Sequence, residues 1–293
     1  KHESRAGYAF VSPFFLLFGL FGLLPIIFTF YVSFFNWDLL GSLTWAGFDN
    51  YVALLADNRF YDSLGNTITI FLLSSVPQLI GALLLALVLN NKKLRFKTLW
   101  RSVILFPFIT STVAVAVVFG AMFADNGGMV NWGLGFLGVA PIHWHANGFA
   151  GQIAIAAMVN WRWTGYNTLI FLAALQAIPH ELYEAADMDG ASKVSQFFNI
   201  TVPQIRPTIF FTVVTSTIGG LQIFTEPYMF SGNGYAGGSE GQFRTMTLFI
   251  FDQAFAQTRL GYASAISVCL FLVIAIVAGI NFFISSKLVK ADH

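Results

Sequence analysis

Charged residues are scarce in this chain, and their scarcity excludes most soluble folds. Lys, Arg, Asp and Glu together make up 10% of the 293 residues, whereas hydrophobic residues make up 56%. A soluble domain carries roughly a quarter charged residues, because it must cover a large surface exposed to water. The composition therefore predicts a membrane protein. The net charge of +1 provides no basic field for nucleic acid, so we expect no such partner.

Signatures of catalysis and of cofactor binding are also missing. The single cysteine, Cys269, excludes an internal disulfide. No G-x-x-x-x-G-K-[ST] motif occurs, so the chain cannot supply a Walker-type ATP site. His143 and His145 lack a nearby third ligand, which argues against a metal site. We therefore expect no catalytic residue, no metal and no cofactor in the chain itself, and predict that it is not an enzyme.

Long apolar runs are the dominant feature that the sequence does have. Runs of about 20 apolar residues predict transmembrane helices, since lipid leaves few other ways to satisfy backbone groups. The fold class is accordingly an all-α polytopic membrane protein with one transmembrane domain over 1–293. Six spans are predicted, at about 8–35, 67–89, 102–124, 149–178, 207–226 and 262–285.

The basic residues are distributed unevenly between the two sides of the predicted bundle. One side carries Lys1, Arg5, Lys92, Lys93, Arg95, Lys97, Arg101, Lys193, Arg206, Lys287 and Lys290. The other side carries Arg59, Arg244 and Arg259, and Arg162 falls within a span. Because basic loops remain in the cytoplasm, both termini and the loop 179–206 are predicted to be cytoplasmic.

A compact polar insert, "YEAADMDGASKVSQFFNITVP", occupies most of that loop, between the fourth and fifth spans. Pro179 suits the start of a first short helix, and Gly190 breaks it. A second helix is predicted from about Ser192, ending before Pro203. An amphipathic helix lying on the lipid surface is one interpretation. Such helices favour basic polar faces, however, and this insert is acidic, which favours a contact with protein.

The order of residue types in the insert resembles the EAA loop of binding-protein-dependent ABC importer permeases. The resemblance is carried by Glu184-Ala185-Ala186, Asp189-Gly190-Ala191, Phe197, Ile200 and Pro203. Stretches such as "SFFNWDLLG" and "LIFLAALQAIPHELYEAA" are similar to the carbohydrate branch of that family. Many relatives carry a basic residue where this chain has Asp187.

The resemblance implies a role and a set of partners. The insert would be a coupling segment that docks on a cytoplasmic ATPase, with Glu184 pairing with a base there. The docking residues would be Glu184, Ala185, Ala186, Asp189, Gly190, Phe197 and Pro203. The working unit in a prokaryotic cell membrane would add a second homologous permease and two ATPase subunits, which bind ATP and Mg. An extracytoplasmic binding protein would deliver the sugar.

Polar residues inside spans mark a candidate substrate site, because they are costly in lipid. The fourth span carries Trp161, Arg162, Trp163, Tyr166 and Asn167, and helical spacing places Trp163, Tyr166 and Asn167 on one face. Gln222 and Glu226 follow in the fifth span, which Pro227 should end. Aromatic faces and amides suit a sugar. Alternatively, Arg162 pairs with Glu226 to hold the bundle and the tryptophans face lipid.

An ion-coupled secondary transporter is the alternative function. Its usual mark is a pair of related halves with acids or interrupted helices near the membrane midplane. The sequence shows no convincing internal repeat, and such a transporter would leave the insert without a purpose.

Overall fold

The computed structural model describes residues 2–38, 41–91, 93–232 and 234–290, and most of these residues are helical. In chain order the α-helices and strands are α1 His2–Phe18, α2 Leu24–Val32, β1 Phe35–Asn36, β2 Thr44–Trp45, α3 Asp49–Leu55, α4 Asn58–Asn90, α5 Lys97–Ile109, α6 Thr112–Met122, α7 Met129–Gly135, α8 Gly148–Gln176, α9 Glu181–Met188, α10 Lys193–Gln196, α11 Val202–Gly220, α12 Thr225–Phe230, α13 Met246–Phe251 and α14 Leu260–Lys290. Stretches of π-helix cover Gly19–Leu23, Phe197–Thr201 and Asp252–Ala256, and a 3₁₀ turn covers Gly234–Ala236.

Three helical stretches in the described part of the chain are long and apolar enough to cross a membrane. They are Phe10–Val32, Asn58–Asn90 and Leu260–Phe283. The pair α5 and α6 would add a fourth crossing if it acts as one broken span. Helices α8 and α11 occupy the predicted fourth and fifth spans but are not among these stretches. Length and composition therefore support several spans and do not by themselves establish six.

The predicted third span, 102–124, is not one continuous helix. Helices α5 and α6 meet at 91° across a short break. Pro107 lacks an N–H and so weakens the last turn of α5. Thr110 and Ser111 then take extended ψ values of 144° and 128°. The hydropathy of the run shows only that this segment is apolar, and it carries no information about the bend.

The predicted ends of two helices also differ from the structure. Helix α11 ends at Gly220 rather than at Pro227, and Pro227 instead lies inside the short helix α12. The helix that follows Ser192 does not end before Pro203. A π-helical turn carries it into α11, where Pro203 occupies the first turn. Pro203 has no N–H to donate to the preceding turn, and the π-helical turn directly before it is where the regular α-helical hydrogen bonding is interrupted.

The first of two compact units comprises residues 1–62 and 246–273. Its short antiparallel hairpin pairs Phe35 with Trp45, a small departure from the all-α prediction. The Asn50 side chain donates to the carbonyl oxygens of Ser33 and Phe35, both at 2.9 Å, and so fastens α3 to the hairpin.

The second unit comprises residues 63–245 and 274–293, and one of its buried clusters lies where α4, α8 and α11 pack together. Fully buried apolar residues in this cluster are Ala82, Ala86, Leu89, Phe171, Leu172, Leu175 and Ile205. Helix α8 begins with a side-chain cap, because Asn147 Oδ1 accepts from the backbone N–H of Ala150 at 3.1 Å. Gly165 brings α8 against α5, where a Cβ would clash with the carbonyl oxygen of Ile104. These contacts fix the face of α8 that bears the predicted polar residues.

Candidate functional site

A cavity of about 220 Å³ lies within the second unit, between α4, α8 and α11. Its lining residues are Ser75, Gln78, Val159, Trp163, Tyr166, Asn167, Phe211, Thr215, Ser216, Gly219, Gly220 and Ile223. The volume is below the roughly 300–1,000 Å³ of sites for drug-sized ligands. A cavity of this size suits one small ring rather than a whole oligosaccharide.

Two buried side-chain amides supply the polar part of the cavity wall. Asn167 on α8 is 2% exposed and donates to the Ser216 hydroxyl of α11 at 3.4 Å. Gln78 on α4 is 3% exposed and makes no hydrogen bond to the described part of the chain. Because Gln78 lines the cavity, its amide is suited to hydrogen-bonding a ligand there.

Aromatic rings form the other part of the wall. Trp163 meets Tyr166 edge to face, with ring centroids 5.9 Å apart. Tyr166 also stacks on Phe108, with centroids 4.6 Å apart and planes at 20°. These contacts hold the two cavity-lining rings in place. Aromatic faces beside amide and hydroxyl groups can cover the C–H face of a sugar and hydrogen-bond its hydroxyls.

Trp163, Tyr166 and Asn167 therefore share one face of α8, as helical spacing predicts, and the other predicted substrate residues lie elsewhere. Trp161 is 42% exposed and packs against Phe119 at 5.6 Å. Gln222 is exposed and does not line the cavity.

The last two predicted substrate residues, Arg162 and Glu226, contact each other. Arg162 Nη1 donates to Glu226 Oε1 at 2.8 Å, and both side chains are largely buried. The structure thus forms the ion pair that the sequence left open as an alternative to substrate binding.

Sequence reasoning did not identify the cavity residues contributed by α4 and α11. Ser75 and Gln78 lie in the apolar second span, and Thr215 and Ser216 lie in the fifth. The signal was available for α4, because Ser74, Ser75 and Gln78 are polar residues within an otherwise apolar run.

The segment between α8 and α11, residues 179–206, folds as a bent pair of short helices that we call the elbow. Helix α9 ends in a Schellman motif: the N–H of Gly190 donates to the Asp187 carbonyl at 3.1 Å, and that of Ala191 to the Ala186 carbonyl at 2.9 Å. Gly190 has a φ of +74°, a left-handed conformation that favours glycine. Ser192 then caps α10 by accepting from the N–H of Ser195 at 3.2 Å. The Asp-Gly-Ala sequence thus fixes the bend.

Side chains join the two arms of the elbow. Lys193 Nζ donates to Asp187 Oδ1 at 2.7 Å, and the Gln196 amide donates to the same oxygen. The Tyr183 hydroxyl bonds the Thr201 hydroxyl at 2.9 Å. Lys193 first, and then Gln196, holds the pKa of the Asp187 carboxyl below its usual range. Asp187 therefore forms a contact within the elbow.

The predicted docking residues of the elbow differ in exposure. Glu184, Ala185, Asp189 and Gly190 are exposed, and Met188 beside them is 88% exposed. Ala186, Phe197 and Pro203 are half-buried. The first arm of the elbow therefore presents exposed carboxylates, the small side chain of Ala185 and the apolar side chain of Met188.

Comparison with known proteins places this architecture in a family. The model of the family described as "Binding-protein-dependent transport system inner membrane component" matches residues 53–290. The chain belongs to this family of membrane permeases.

Named relatives of this permease cover nearly its whole length. It is 36% identical over 291 residues to the arabinooligosaccharides transport system permease protein AraP of Bacillus subtilis (strain 168), covering 97% of this chain and 90% of the relative. It is 36% identical to the lactose transport system permease protein LacF of Rhizobium radiobacter, covering 94% of this chain and 93% of that protein.

Among solved structures, the permease resembles a chain from a bacterial alginate ABC transporter crystallised with an alginate pentasaccharide-bound periplasmic protein. The TM-score is 0.82 at 22% identity, with coverage of 99% of this chain and 96% of the other. At this level of identity the likeness shows a shared fold.

Proposed function

We infer that this permease is the membrane subunit of an ATP-driven sugar importer and that it forms the substrate pathway with a second, homologous permease. The relatives named for arabinooligosaccharide and lactose transport support the sugar class. The aromatic and amide lining of the cavity supports it independently. A di- or oligosaccharide would arrive on an extracytoplasmic binding protein.

One observation supports a transport role most directly: α8 and α11 carry both the cavity and the elbow. Trp163, Tyr166 and Asn167 lie on α8, and Ser216 lies on α11. The elbow is the chain segment that joins these same two helices. A force applied to the elbow would therefore reach the two walls of the cavity that α8 and α11 form, which is how an external motor could change access to a bound sugar.

The exposed arm of the elbow is the proposed contact with a cytoplasmic ATPase. Ala185 leaves room for a close approach, and the neighbouring carboxylate of Glu184 is available to a basic side chain on the partner. Two ATPase subunits would bind ATP and Mg in their own sites. The hydrogen bonds between Asp187, Lys193 and Gln196 would let the elbow move as one body.

The proposed topology has six spans, with both termini and the elbow in the cytoplasm. In this topology α8 and α11 cross the membrane despite their polar residues, because those residues face the cavity or each other rather than lipid. The excess of basic residues on one side supports this orientation.

Labelling a cysteine in the elbow tests the proposal. Met188→Cys in a Cys269→Ala background should react with a membrane-impermeant maleimide only in inside-out vesicles. It should also form a cross-link to the ATPase subunit in the assembled transporter. Labelling from the outer face, or assembly with no cross-link at any nearby elbow position, would contradict the proposed docking.

A further inference from the structure

We propose that the cavity between α4, α8 and α11 admits an uncharged sugar unit and rejects phosphorylated, sulfonated or uronic sugars. This inference rests on the proposed sugar-import function and specifies the substrate class of the same site. It concerns the wall that this permease contributes to the pathway.

The composition of the lining gives the first reason. Each of the described residues that line the cavity is apolar, aromatic, an amide or a hydroxyl, and none carries a formal charge. An anion entering a partly buried site loses hydration, and neutral donors compensate for that loss less well than a cation does. The lining supplies no such cation.

The second reason is that Arg162, the basic residue within the predicted fourth span, already pairs with Glu226. Arg162 is not among the residues that line the cavity, and its guanidinium donates to Glu226. Recruiting Arg162 to a substrate anion would leave the Glu226 carboxylate buried without this partner. A buried charge that loses its partner is strongly unfavourable.

Gln78 gives the third reason, and it points to what the cavity does bind. Gln78 is only 3% exposed, and its side chain lines the cavity. This side chain makes no hydrogen bond to the described part of the chain. A side-chain amide offers two N–H donors and one carbonyl acceptor. A sugar hydroxyl both donates and accepts, so it can satisfy both ends of the amide, whereas a carboxylate or phosphate dianion only accepts.

The expected discrimination is large. A matched pair of ligands is galactobiose and digalacturonate, in which a CH₂OH group on each ring is replaced by a carboxylate. Loss of hydration without a compensating cation predicts that galactobiose-type ligands bind at least about 100-fold more tightly than their uronate counterparts.

Protection of an introduced cysteine from alkylation measures this difference in sugar binding directly. Ser216→Cys, in a Cys269→Ala background, places a thiol in the cavity of the assembled transporter in nanodiscs. The rate of its alkylation by N-ethylmaleimide is followed with lactose, arabinobiose or galactobiose, and with digalacturonate. Ser111→Cys, at the break between α5 and α6 and outside the cavity lining, is the matched control. We expect at least one neutral saccharide to slow alkylation at position 216 about fivefold or more, and digalacturonate to leave the rate unchanged.

A gain-of-function variant completes the test. Gln78→Lys introduces a cation into the lining, so digalacturonate should now protect the cysteine at position 216. Protection of the unmodified lining by digalacturonate as strong as by galactobiose would overturn the inference while leaving the substrate site in place. Absence of protection by every neutral saccharide would overturn the site itself. If Gln78→Lys assembled normally and gained no protection by digalacturonate, the assignment of Gln78 would be wrong.

Discussion

Arg162 on α8 and Glu226 on α12 form a largely buried ion pair, with Nη1 and Oε1 2.8 Å apart. Glu226 lies just beyond the break at 221–224, where α11 has ended. The pair therefore attaches the segment after the break to the middle of α8. Arg162 and Glu226, which the sequence suggested as substrate ligands, thus contact each other and support the geometry of the cavity.

Breaking this pair should destabilise the permease. Glu226→Gln leaves the guanidinium without its ionic partner, and removing one member of a buried pair typically costs about 3–5 kcal/mol. The thermal unfolding midpoint of the detergent-solubilised permease should fall markedly. Replacing both residues, as Arg162→Met with Glu226→Leu, should recover much of the loss, because no uncompensated charge remains. Equal destabilisation by the single and double changes would contradict this role.

Two tryptophans on α8 provide a matched test of the cavity. Trp163 lines it, whereas Trp161 packs against Phe119 outside it. Aromatic contacts are worth about 0.5–1.5 kcal/mol beyond their burial, so Trp163→Ala should raise the KM for sugar uptake about tenfold. Trp161→Ala removes the same side chain and should leave KM nearly unchanged. ATP-dependent uptake by proteoliposomes distinguishes them, and equal effects on KM would remove Trp163 from the site.

The sequence predicted where helices occur, and which face of α8 lines the cavity, better than it predicted where helices bend or continue. Apolar runs place both ends of α8 within two residues, whereas α4 begins nine residues before the predicted span and α14 ends five residues after it. The 91° bend at Thr110 and Ser111 depends on local backbone angles, which hydropathy does not encode. The continuation of α10 into α11 through Pro203 depends on a π-helical turn.

The composition of the candidate substrate site was predictable in part. Spacing along α8 groups Trp163, Tyr166 and Asn167. The contribution of Gln78 from α4 requires knowing which face of a second helix meets α8, and that is set by the packing of the core. The pairing of Arg162 with Glu226, in contrast, could be suggested from charge alone, since they are a base and an acid in neighbouring predicted spans.

The close approach of α8 to α5 should be intolerant of any side chain at Gly165. A Cβ there would clash with the carbonyl oxygen of Ile104, which is backbone and cannot rotate away. Gly165→Ala should therefore lower the free energy of unfolding by about 1–3 kcal/mol or more. Gly120→Ala on α6 meets nothing within 4 Å and serves as the control. Thermal unfolding of both variants checks this, and equal midpoints would show that α5 can shift.

Protonation of Asp187 should loosen the elbow. The contacts with Lys193 and Gln196 hold the pKa of this carboxyl below its usual range. A carboxyl whose pKa is lower in the folded state stabilises the fold above its unfolded pKa, about 3.9, and loses that contribution as the pH falls through the folded value. In carboxyl ¹³C NMR titrations, Lys193→Met should move the titration midpoint of Asp187 upward and Lys193→Arg should largely preserve it. An unchanged titration midpoint in the Lys193→Met variant would show that Lys193 is not the main cause of the lowered pKa of Asp187.

Reversing the charge at Glu184 should weaken the proposed contact between the elbow and the ATPase subunit. Glu184 is exposed on α9, and Glu181 is exposed one turn earlier on the same helix, so an arginine at either position meets the same positive helix terminus. If Glu184 pairs with a basic side chain on the ATPase, Glu184→Arg places two cations together. Losing a buried charge pair at an interface costs about 2–5 kcal/mol, so ATP-dependent uptake should fall at least tenfold. Glu181→Arg should retain most of the uptake.

Assembly must be measured in the same preparations, because uptake alone does not separate poor coupling from poor insertion. Both variants should insert and retain the second permease, whereas only Glu184→Arg should lose ATPase subunits on co-purification. A compensating change of one basic docking residue on the ATPase to Glu should restore uptake in the Glu184→Arg background. Undiminished uptake by Glu184→Arg, or equal losses in both variants, would mean that the carboxylate at position 184 does not hold the ATPase and that another part of the elbow transmits the force.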